Sequence, residues 1–234
     1  MDLTFHGHSC IGWTHSEGTL LIDPFITGNA LCPYDIHDVH ADVVLVTHGH
    51  EDHIADAVEL ARRENTQIFA PFEIANWLVQ EGGTKVVGMN PGGIAAFGKA
   101  RARMVNAIHS SSLPDGSYGG QATGYVIEMD GERFYHAGDT ALTADMDLIG
   151  KLWPCRIAAL PVGGLFTMGV EDALIAAEMC GAQEVLAMHY DTFPPICIEP
   201  SQKKDAIDMF SAAGLTLHFW DPGTTQRMNG KIES

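Results

Sequence analysis

Short apolar runs separated by polar turns recur along the whole chain, and most runs have the length of a single strand. Longer segments, in which apolar residues return every three or four positions, indicate helices. Strands are predicted at 3–5, 11–13, 19–22, 43–46, 67–70, 85–87, 102–108, 125–127, 133–135, 157–162, 185–188 and 215–220. Helices are predicted beyond residue 53 and at 72–81, 171–180 and 201–213. This mixture predicts an α/β or α+β protein.

Turn residues fix several boundaries. Asp130 and Gly131 predict a tight hairpin between two strands, and Glu17-Gly18 predicts another. Glycines that follow predicted helices at 82, 181 and 214 are the residue type that tolerates a left-handed C-terminal cap. Ser201 is the predicted N-cap of the last helix. Segments 26–38 and 110–120 lack periodicity and are predicted loops.

The chemistry of the chain is concentrated where the apolar run 43–46 ends. The next residues are Thr47-His48-Gly49-His50-Glu51-Asp52-His53, with three histidines and two carboxylates in six positions. Imidazole nitrogen and carboxylate oxygen are ligands for zinc, manganese and iron. The His-Glu-x-x-His helix of zinc proteases is excluded, because the second histidine would stand at position 54, which is Ile54.

Three further strands deliver a metal-competent side chain at or just beyond their ends. Strand 102–108 leads to His109, strand 133–135 leads to Asp139, and strand 185–188 leads to His189. A residue just past a buried strand is held firmly and still faces a cleft, as a catalytic metal site requires. These residues are therefore candidate ligands beside the motif.

The motif at 47–53 resembles the signature of the metallo-β-lactamase superfamily. Matching segments extend across nearly the whole chain: Gly7-His8-Ser9, His109, Phe134-Tyr135-His136-Ala137-Gly138-Asp139-Thr140 and Met188-His189-Tyr190. The combination is similar to the branch of metal-dependent hydrolases that includes sugar-acid phosphate lactonases and phospholipase-type phosphodiesterases. One departure is Ala55, where many members carry glycine.

The resemblance implies a site for two divalent ions, zinc first, with manganese or iron as alternatives because no cysteine stands at a matching position. It implies that His48, His50 and His109 hold one ion, that Asp52, His53 and His189 hold the other, and that Asp139 bridges them. Such a pair bridges a water and lowers its pKa toward about 7.

Catalytic roles are predicted for two residues. Asp52 would orient the attacking hydroxide, and His8 would donate a proton to the leaving group or contact the substrate. His136 is a candidate support for Asp139, and Gly163 and Gly164 are candidates for lining the cleft.

The resemblance also implies a four-layer αββα sandwich, with two β-sheets face to face and helices outside. No linker, low-complexity tract or repeat interrupts the pattern, so residues 1–234 are predicted to form a single domain.

Composition narrows the partners. The net charge of −17 disfavours nucleic acid, which needs a basic face, and leaves a small-molecule substrate. No apolar run suggests a membrane span, and the first residues lack a secretory pattern. Five widely spaced cysteines without a Cys-x-x-Cys pair favour a cytoplasmic location. Both a monomer and a homo-oligomer are compatible with the sequence.

Several functions remain open. Hydrolysis of a small ester or lactone ranks first, phosphodiester hydrolysis second, and β-lactam hydrolysis well behind them. A metal-binding, redox or sensor protein of this fold without hydrolase activity is a different class, and a binding module that has kept the fold but lost the metals is a third. No segment corresponds to an added flavin domain, and the complete set of candidate ligands disfavours a metal-free module.

Overall fold

The computed structural model describes residues 1–15 and 18–230, and over these residues the strands form two seven-stranded sheets. In spatial order, the first sheet contains β14 (Thr224–Arg227), β1 (Asp2–Gly7), β2 (Cys10–His15), β3 (Gly18–Ile22), β4 (Val43–Leu45), β5 (Gln67–Pro71) and β6 (Val86–Met89). The second contains β13 (Thr216–His218), β12 (Glu184–Met188), β11 (Ile157–Pro161), β10 (Glu132–His136), β9 (Thr123–Met129), β8 (Ala100–Asn106) and β7 (Ile94–Phe97).

Helices occupy the connections between strands. They are α1 (Glu51–Ile54), α2 (Ala57–Arg62), α3 (Phe72–Gln80), α4 (Asp145–Leu152), α5 (Val170–Cys180) and α6 (Pro200–Ala212). Two short 3-10 turns are found at Ile36–Asp38 and Pro194–Ile196.

Alternation of side chains along β4 divides the apolar residues between two cores. Val43 and Leu45 pack into the cluster between the sheets, whereas Val44 and Val46 pack into the cluster that contains residues of α2 and α3. Successive strand residues point to opposite faces, so a continuous apolar run indicates burial on both faces. Helices α5 and α6 contact the second sheet. The predicted α/β sandwich with outer helices is confirmed.

Strand directions explain why the candidate residues meet. Strands β3, β4 and β5 are parallel, and β1 runs in the same direction because two antiparallel pairings separate it from β3. In the second sheet β10, β11 and β12 are parallel, and β8 shares their direction for the same reason. The carboxyl ends of these strands therefore lie on one edge of each sheet, and the candidate ligands follow four of them.

Several predicted turns are confirmed. Asp130 and Gly131 both adopt positive φ, +51° and +76°, as a two-residue hairpin turn of type I′ requires. Gly181 adopts the left-handed conformation directly after α5. Glu17, in the other predicted hairpin, lies outside the described residues.

Other boundaries require correction. The last helix begins at Pro200 and not after Ser201: Glu199 is its N-cap and forms a reciprocal capping box with Gln202. The strand predicted at 102–108 spans Ala100–Asn106, so irregular backbone leads from its end to His109. The prediction that 215–220 is the last strand is wrong, because β14 follows it and pairs with β1. Strand β7 and helix α4 were not predicted.

No helix among the described residues is both long enough and apolar enough to cross a membrane.

Candidate metal centre

The carboxylate of Asp139 lies at the centre of a histidine cluster and is buried. Its Oδ2 atom is 2.9 Å from Nε2 of His189, 3.4 Å from Nε2 of His53, 3.6 Å from Nε2 of His109 and 3.9 Å from Nε2 of His48. One oxygen atom is therefore adjacent to four imidazoles that come from three segments of the chain.

The remaining candidate ligands form two groups around this carboxylate. His48, His50 and His109 have donor atoms within 4.8 Å of one another. A second group, defined in the same way, contains His8, Asp52, His53 and His189. All seven residues that the sequence suggested as ligands are thus brought together, and Asp139 lies beside members of both groups.

The motif positions its side chains through a short helix that begins inside it, whereas the sequence placed Asp52 and His53 on a turn. His50 is the extended N-cap residue of α1, so Asp52 and His53 lie on the first turn of this helix. The carbonyl of His50 accepts hydrogen bonds from the amides of His53 and Ile54. Ala55 is right-handed helical, at φ −49° and ψ −41°, so this position does not require glycine.

Asp23 stabilises the motif through hydrogen bonds to Thr47 and His53, and no pattern in the sequence marks it as part of the site. It is fully buried directly after β3. Its Oδ1 accepts a hydrogen bond from the amide of Thr47 at 2.8 Å. Its Oδ2 accepts from the Thr47 hydroxyl at 2.7 Å and from Nδ1 of His53 at 2.8 Å. A carboxylate that accepts from a ligand histidine fixes its tautomer and ring orientation.

These bonds determine which histidine nitrogens are available to a metal. The Thr47 hydroxyl donates to Asp23, so its oxygen accepts from Nδ1 of His48, 3.0 Å away. Nδ1 of His53 is likewise committed to Asp23. Nε2 of His48 and Nε2 of His53 are therefore the ring nitrogens left available to a metal ion.

His8 lies behind Asp52, and its side chain has no exposed surface. Its Nε2 donates to Oδ2 of Asp52 at 3.0 Å, and its Nδ1 is 2.9 Å from Oγ1 of Thr192. The His8 ring also lies 4.3 Å from the ring of His189, centroid to centroid. His8 thus contacts the candidate centre through Asp52 and not through the open cleft.

His136 forms hydrogen bonds to the backbone of two loops, the one that carries His8 and the one that carries Asp139. Its Nε2 donates to the carbonyl of Ser9 at 2.9 Å, and its Nδ1 accepts from the amide of Gly138 at 3.2 Å. Ser9 and Gly138 are the neighbours of His8 and Asp139. His136 therefore holds the backbone on both sides of the centre.

The two candidate glycines have different environments. A Cβ atom on Gly163 would collide with the carbonyl oxygen of His189, so only glycine fits there without a shift of the backbone. At Gly164 a Cβ atom would enter open space, so the backbone conformation, with φ at +67°, is the reason for glycine. His189 itself adopts positive φ, +57°. Gly163 thus packs against a strained turn that carries a candidate ligand.

Electrostatics within the cluster favour an ionised carboxylate. Burial alone would raise the pKa of Asp139, but the charges of His53 and His189 hold it well below its usual value. Burial lowers the pKa of His48. Burial would also lower the pKa of His53, but the carboxylates of Asp139 and Asp23 raise it well above normal. Asp139 and Asp23 therefore stabilise positive charge on His53, whereas burial disfavours it on His48.

A cavity of about 400 Å³ opens onto the cluster. Five of the predicted site residues line it: His50, Asp52, His109, Asp139 and His189. Its other walls are Ser110, Phe166, Phe193 and Pro195. The hydroxyl of Ser110 is 3.3 Å from Nε2 of His50. A small molecule in this cavity would lie directly against the candidate ligands.

Comparison with known proteins identifies the family. Residues 19–190 match the family model of the beta-lactamase superfamily domain. The chain is 45% identical over 206 residues to a UPF0173 metal-dependent hydrolase of Geobacillus thermodenitrificans, across 86% of this chain and 91% of that protein. It is 46% identical over 206 residues to the UPF0173 metal-dependent hydrolase of Christiangramia forsetii, across 87% and 91%.

A solved structure agrees with these relatives. Igni18, a metallo hydrolase from the archaeon Ignicoccus hospitalis KIN4/I, superposes with a TM-score of 0.85 at 37% identity, covering 96% of this chain and 97% of that chain. The fold, the motif and these similarities lead to one assignment. The chain belongs to the metallo-β-lactamase superfamily and is one of its metal-dependent hydrolases.

Proposed function

We propose that the chain is a dinuclear metal-dependent hydrolase that cleaves a small carboxylic ester or lactone. The observation that carries the proposal is the position of Asp139, whose Oδ2 atom lies within 3.9 Å of Nε2 of both His48 and His53. One ion would be held by His48, His50 and His109. The other would be held by Asp52, His53 and His189, and Asp139 would bind both ions. A single domain over residues 1–234 is part of the proposal.

The buried donor atoms fit this role. Nε2 of His53 and Oδ1 of Asp139 are buried and make no hydrogen bond. A buried polar atom without a partner costs about 1–3 kcal/mol, and a bound cation would satisfy both. The donors are nitrogen and oxygen without thiolate, a set that suits zinc and also admits manganese or iron.

Bound divalent ions would supply Lewis-acid polarisation of the substrate and an acidified water at neutral pH. The chain itself supplies orientation and proton transfer. Asp52 lines the cavity, and only its Oδ2 is engaged by His8. We assign to Asp52 the orientation of the attacking water and acceptance of its proton. Ester hydrolysis adds the hydroxyl of water to the acyl carbon and a proton to the leaving oxygen.

His8 is assigned a positioning role in this scheme. Its buried ring holds Asp52 by a hydrogen bond and is itself held by Thr192. The proton that Asp52 accepts from the attacking water would pass on to the leaving oxygen, while the neutral His8 ring keeps its own proton in the hydrogen bond that holds Asp52. His136, Gly163 and Gly164 are assigned to support of the loops that carry His8, Asp139 and His189.

Phosphodiester hydrolysis is the second candidate, because a pair of ions also suits attack at phosphorus. It ranks lower because the described residues that line the cavity include no lysine or arginine to hold a second phosphate oxygen. A binding or redox protein of the same fold is the alternative of another class.

A cytoplasmic location is also proposed, and the five free cysteines support it. Small-molecule substrates are expected and nucleic acids are not.

A substrate panel tests the proposal. Lactones, carboxylic esters, thioesters, bis-p-nitrophenyl phosphate and a chromogenic cephalosporin would be assayed with zinc-loaded and manganese-loaded protein. We expect metal-dependent turnover of a lactone or ester. Turnover of the phosphodiester alone would replace this proposal with the second candidate. Inactivity toward the whole panel, with metal bound, would favour the binding or redox class.

A further inference from the structure

The cavity beside the candidate centre is apolar wherever it is not formed by the metal-competent residues or Ser110. Beyond those residues its walls are Phe166, Phe193 and Pro195. Among the described residues that line it, none is lysine or arginine. The part of a substrate that extends away from the reacting bond therefore meets two aromatic rings and a proline.

Phe193 is held in a fixed position. Its ring stacks on Phe25 with centroids 6.4 Å apart and contacts the ring of His8 edge-on at 5.5 Å. The loop that carries it is braced by Asp191, whose carboxylate accepts from the amide of Ile198 at 2.9 Å and pairs with Lys203. The ring remains 37% exposed, on the wall of the cavity.

Phe166 lies on a turn that is fastened to the Asp139 loop. The amide of Gly164 donates to the carbonyl of Met168 at 3.0 Å, and the amide of Met168 donates to the carbonyl of Thr140 at 3.1 Å. At the tip of this turn, Leu165 is 76% exposed and Phe166 is 52% exposed. Large apolar side chains held in water beside a catalytic cavity mark a surface that a ligand covers.

Charge excludes one class of substrate from this surface. The cation nearest in sequence to the Phe193 loop, Lys203, is already paired with Asp191. An anionic tail that points away from the candidate ions and lies against Phe166, Phe193 and Pro195 would lose hydration without meeting a lysine or arginine among the described lining residues, and such burial of charge is unfavourable. A neutral apolar group avoids this penalty and is favoured by the aromatic walls.

We infer that the substrate is a neutral ester or lactone whose acyl part carries an aromatic or branched aliphatic group, and that Phe166 and Phe193 bind that group. The inference rests on the proposed hydrolase function for the identity of the scissile bond. The contact between the apolar group and the two rings is independent of turnover and can be measured separately.

Turnover is tested with three p-nitrophenyl esters on the metal-loaded full chain: the acetate, the phenylacetate and the carboxylate-tailed glutarate monoester. Each rate is divided by the rate of hydroxide hydrolysis of the same ester. We expect kcat/KM for the phenylacetate to exceed that for the acetate by about 10- to 100-fold, the scale of one bound apolar group. The glutarate ester should fall below the acetate.

Alanine variants test whether Phe166 and Phe193 are the residues that cause the preference for the phenylacetate. Phe166→Ala and Phe193→Ala should each reduce the ratio of phenylacetate to acetate turnover. Phe72→Ala is the matched control, because Phe72 is also an exposed phenylalanine, 51% exposed, but does not line the cavity. It should leave the ratio unchanged. Metal content and thermal unfolding, measured for every variant, separate loss of contact from loss of structure.

Binding is measured with the unreactive neutral ketone 1-phenylpropan-2-one by ligand-observed NMR. Wild-type protein should bind it, and Phe166→Ala and Phe193→Ala should bind it more weakly. Ester turnover without preference for the phenylacetate, together with no ketone binding, would overturn the inference and leave the hydrolase proposal intact. Ketone binding at the two rings without turnover of any ester or lactone would support the apolar contact and overturn the proposal of ester or lactone hydrolysis. Absence of both would overturn both.

Discussion

Replacement of Asp23 by asparagine tests whether this buried carboxylate controls the metal-binding nitrogen of His53. In the wild-type protein Asp23 accepts three hydrogen bonds, two from Thr47 and one from Nδ1 of His53. The asparagine side chain keeps one acceptor oxygen but presents an NH2 group in place of the other. The Thr47 hydroxyl can rotate to accept from that group. The imidazole can accept only if its proton moves to Nε2, which is the nitrogen needed for the metal.

The size of the expected loss in metal affinity follows from this change of tautomer. Loss of a carboxylate that orients a ligand histidine lowers metal affinity about 10- to 100-fold. Loss of a hydrogen bond to a charged group costs about 1.5–3 kcal/mol in the free energy of unfolding. Asp23→Asn should therefore fold, unfold at a lower temperature, and bind zinc about 10- to 100-fold more weakly than wild type. Competition with a chromogenic chelator gives the affinity, and thermal denaturation followed by circular dichroism gives the stability.

Asp56→Asn is the matched control. Asp56 is also buried, and its Oδ2 accepts from the amides of Ile26 at 2.7 Å and Thr27 at 2.9 Å, without a hydrogen bond to a histidine. The amide oxygen of the new asparagine can accept the same two bonds, so zinc affinity should not change. If Asp23→Asn binds zinc as tightly as wild type, or if both variants weaken binding equally, the tautomer argument is refuted.

Four further substitutions test the bridging carboxylate, the partner of Asp52, a helix cap and a histidine outside the centre. Asp139→Ala should lose both ions and lower turnover by at least about 10²- to 10³-fold, the scale of one lost electrostatic stabiliser; elemental analysis that still shows two ions would contradict the bridging role. His8→Ala should keep both ions and lower kcat about 10- to 100-fold, as for loss of an oriented partner; loss of metal would make His8 a ligand. Glu199→Ala should reduce the free energy of unfolding by about 1 kcal/mol at unchanged activity, whereas unchanged stability would count against the cap. His218→Ala removes a half-buried contact to Glu184 at 3.2 Å and should leave activity unchanged; an activity loss would extend the site to β13.

Most of the candidate centre could be predicted because its residues carry their own signal. His48, His50, Asp52 and His53 are adjacent in the sequence, and a cluster of this composition has few uses apart from metal binding. The other candidate ligands follow strands, and the resemblance supplied their grouping. The structure places all of them in one cluster, but their roles as ligands stay predictions.

Asp23 could not be found in this way. Asp23-Pro24 is typical of a strand end, and a lone aspartate there has many ordinary uses. Its function depends on the parallel pairing of β3 with β4, which places the end of β3 beside Thr47. Such pairing is a long-range property that local pattern does not encode. The same limit applies to β14, which is a strand because it pairs with β1.

The remaining errors in the predicted helix starts have local causes in the sequence. Serine is a strong N-cap residue, so Ser201 was the natural choice, but Glu199 caps the helix and Pro200 occupies its first turn. Helix α1 was missed because its four residues overlap the ligand motif and show no apolar period.

A titration of metal-free protein tests the central claim, that seven residues hold two ions and that these ions are required for hydrolysis. Zinc or manganese would be added in fractional equivalents, with bound metal and ester turnover measured on the same samples. We expect binding to saturate near two ions per chain and turnover to reach its plateau only there. Saturation at one ion, or turnover that does not depend on added metal, would contradict it.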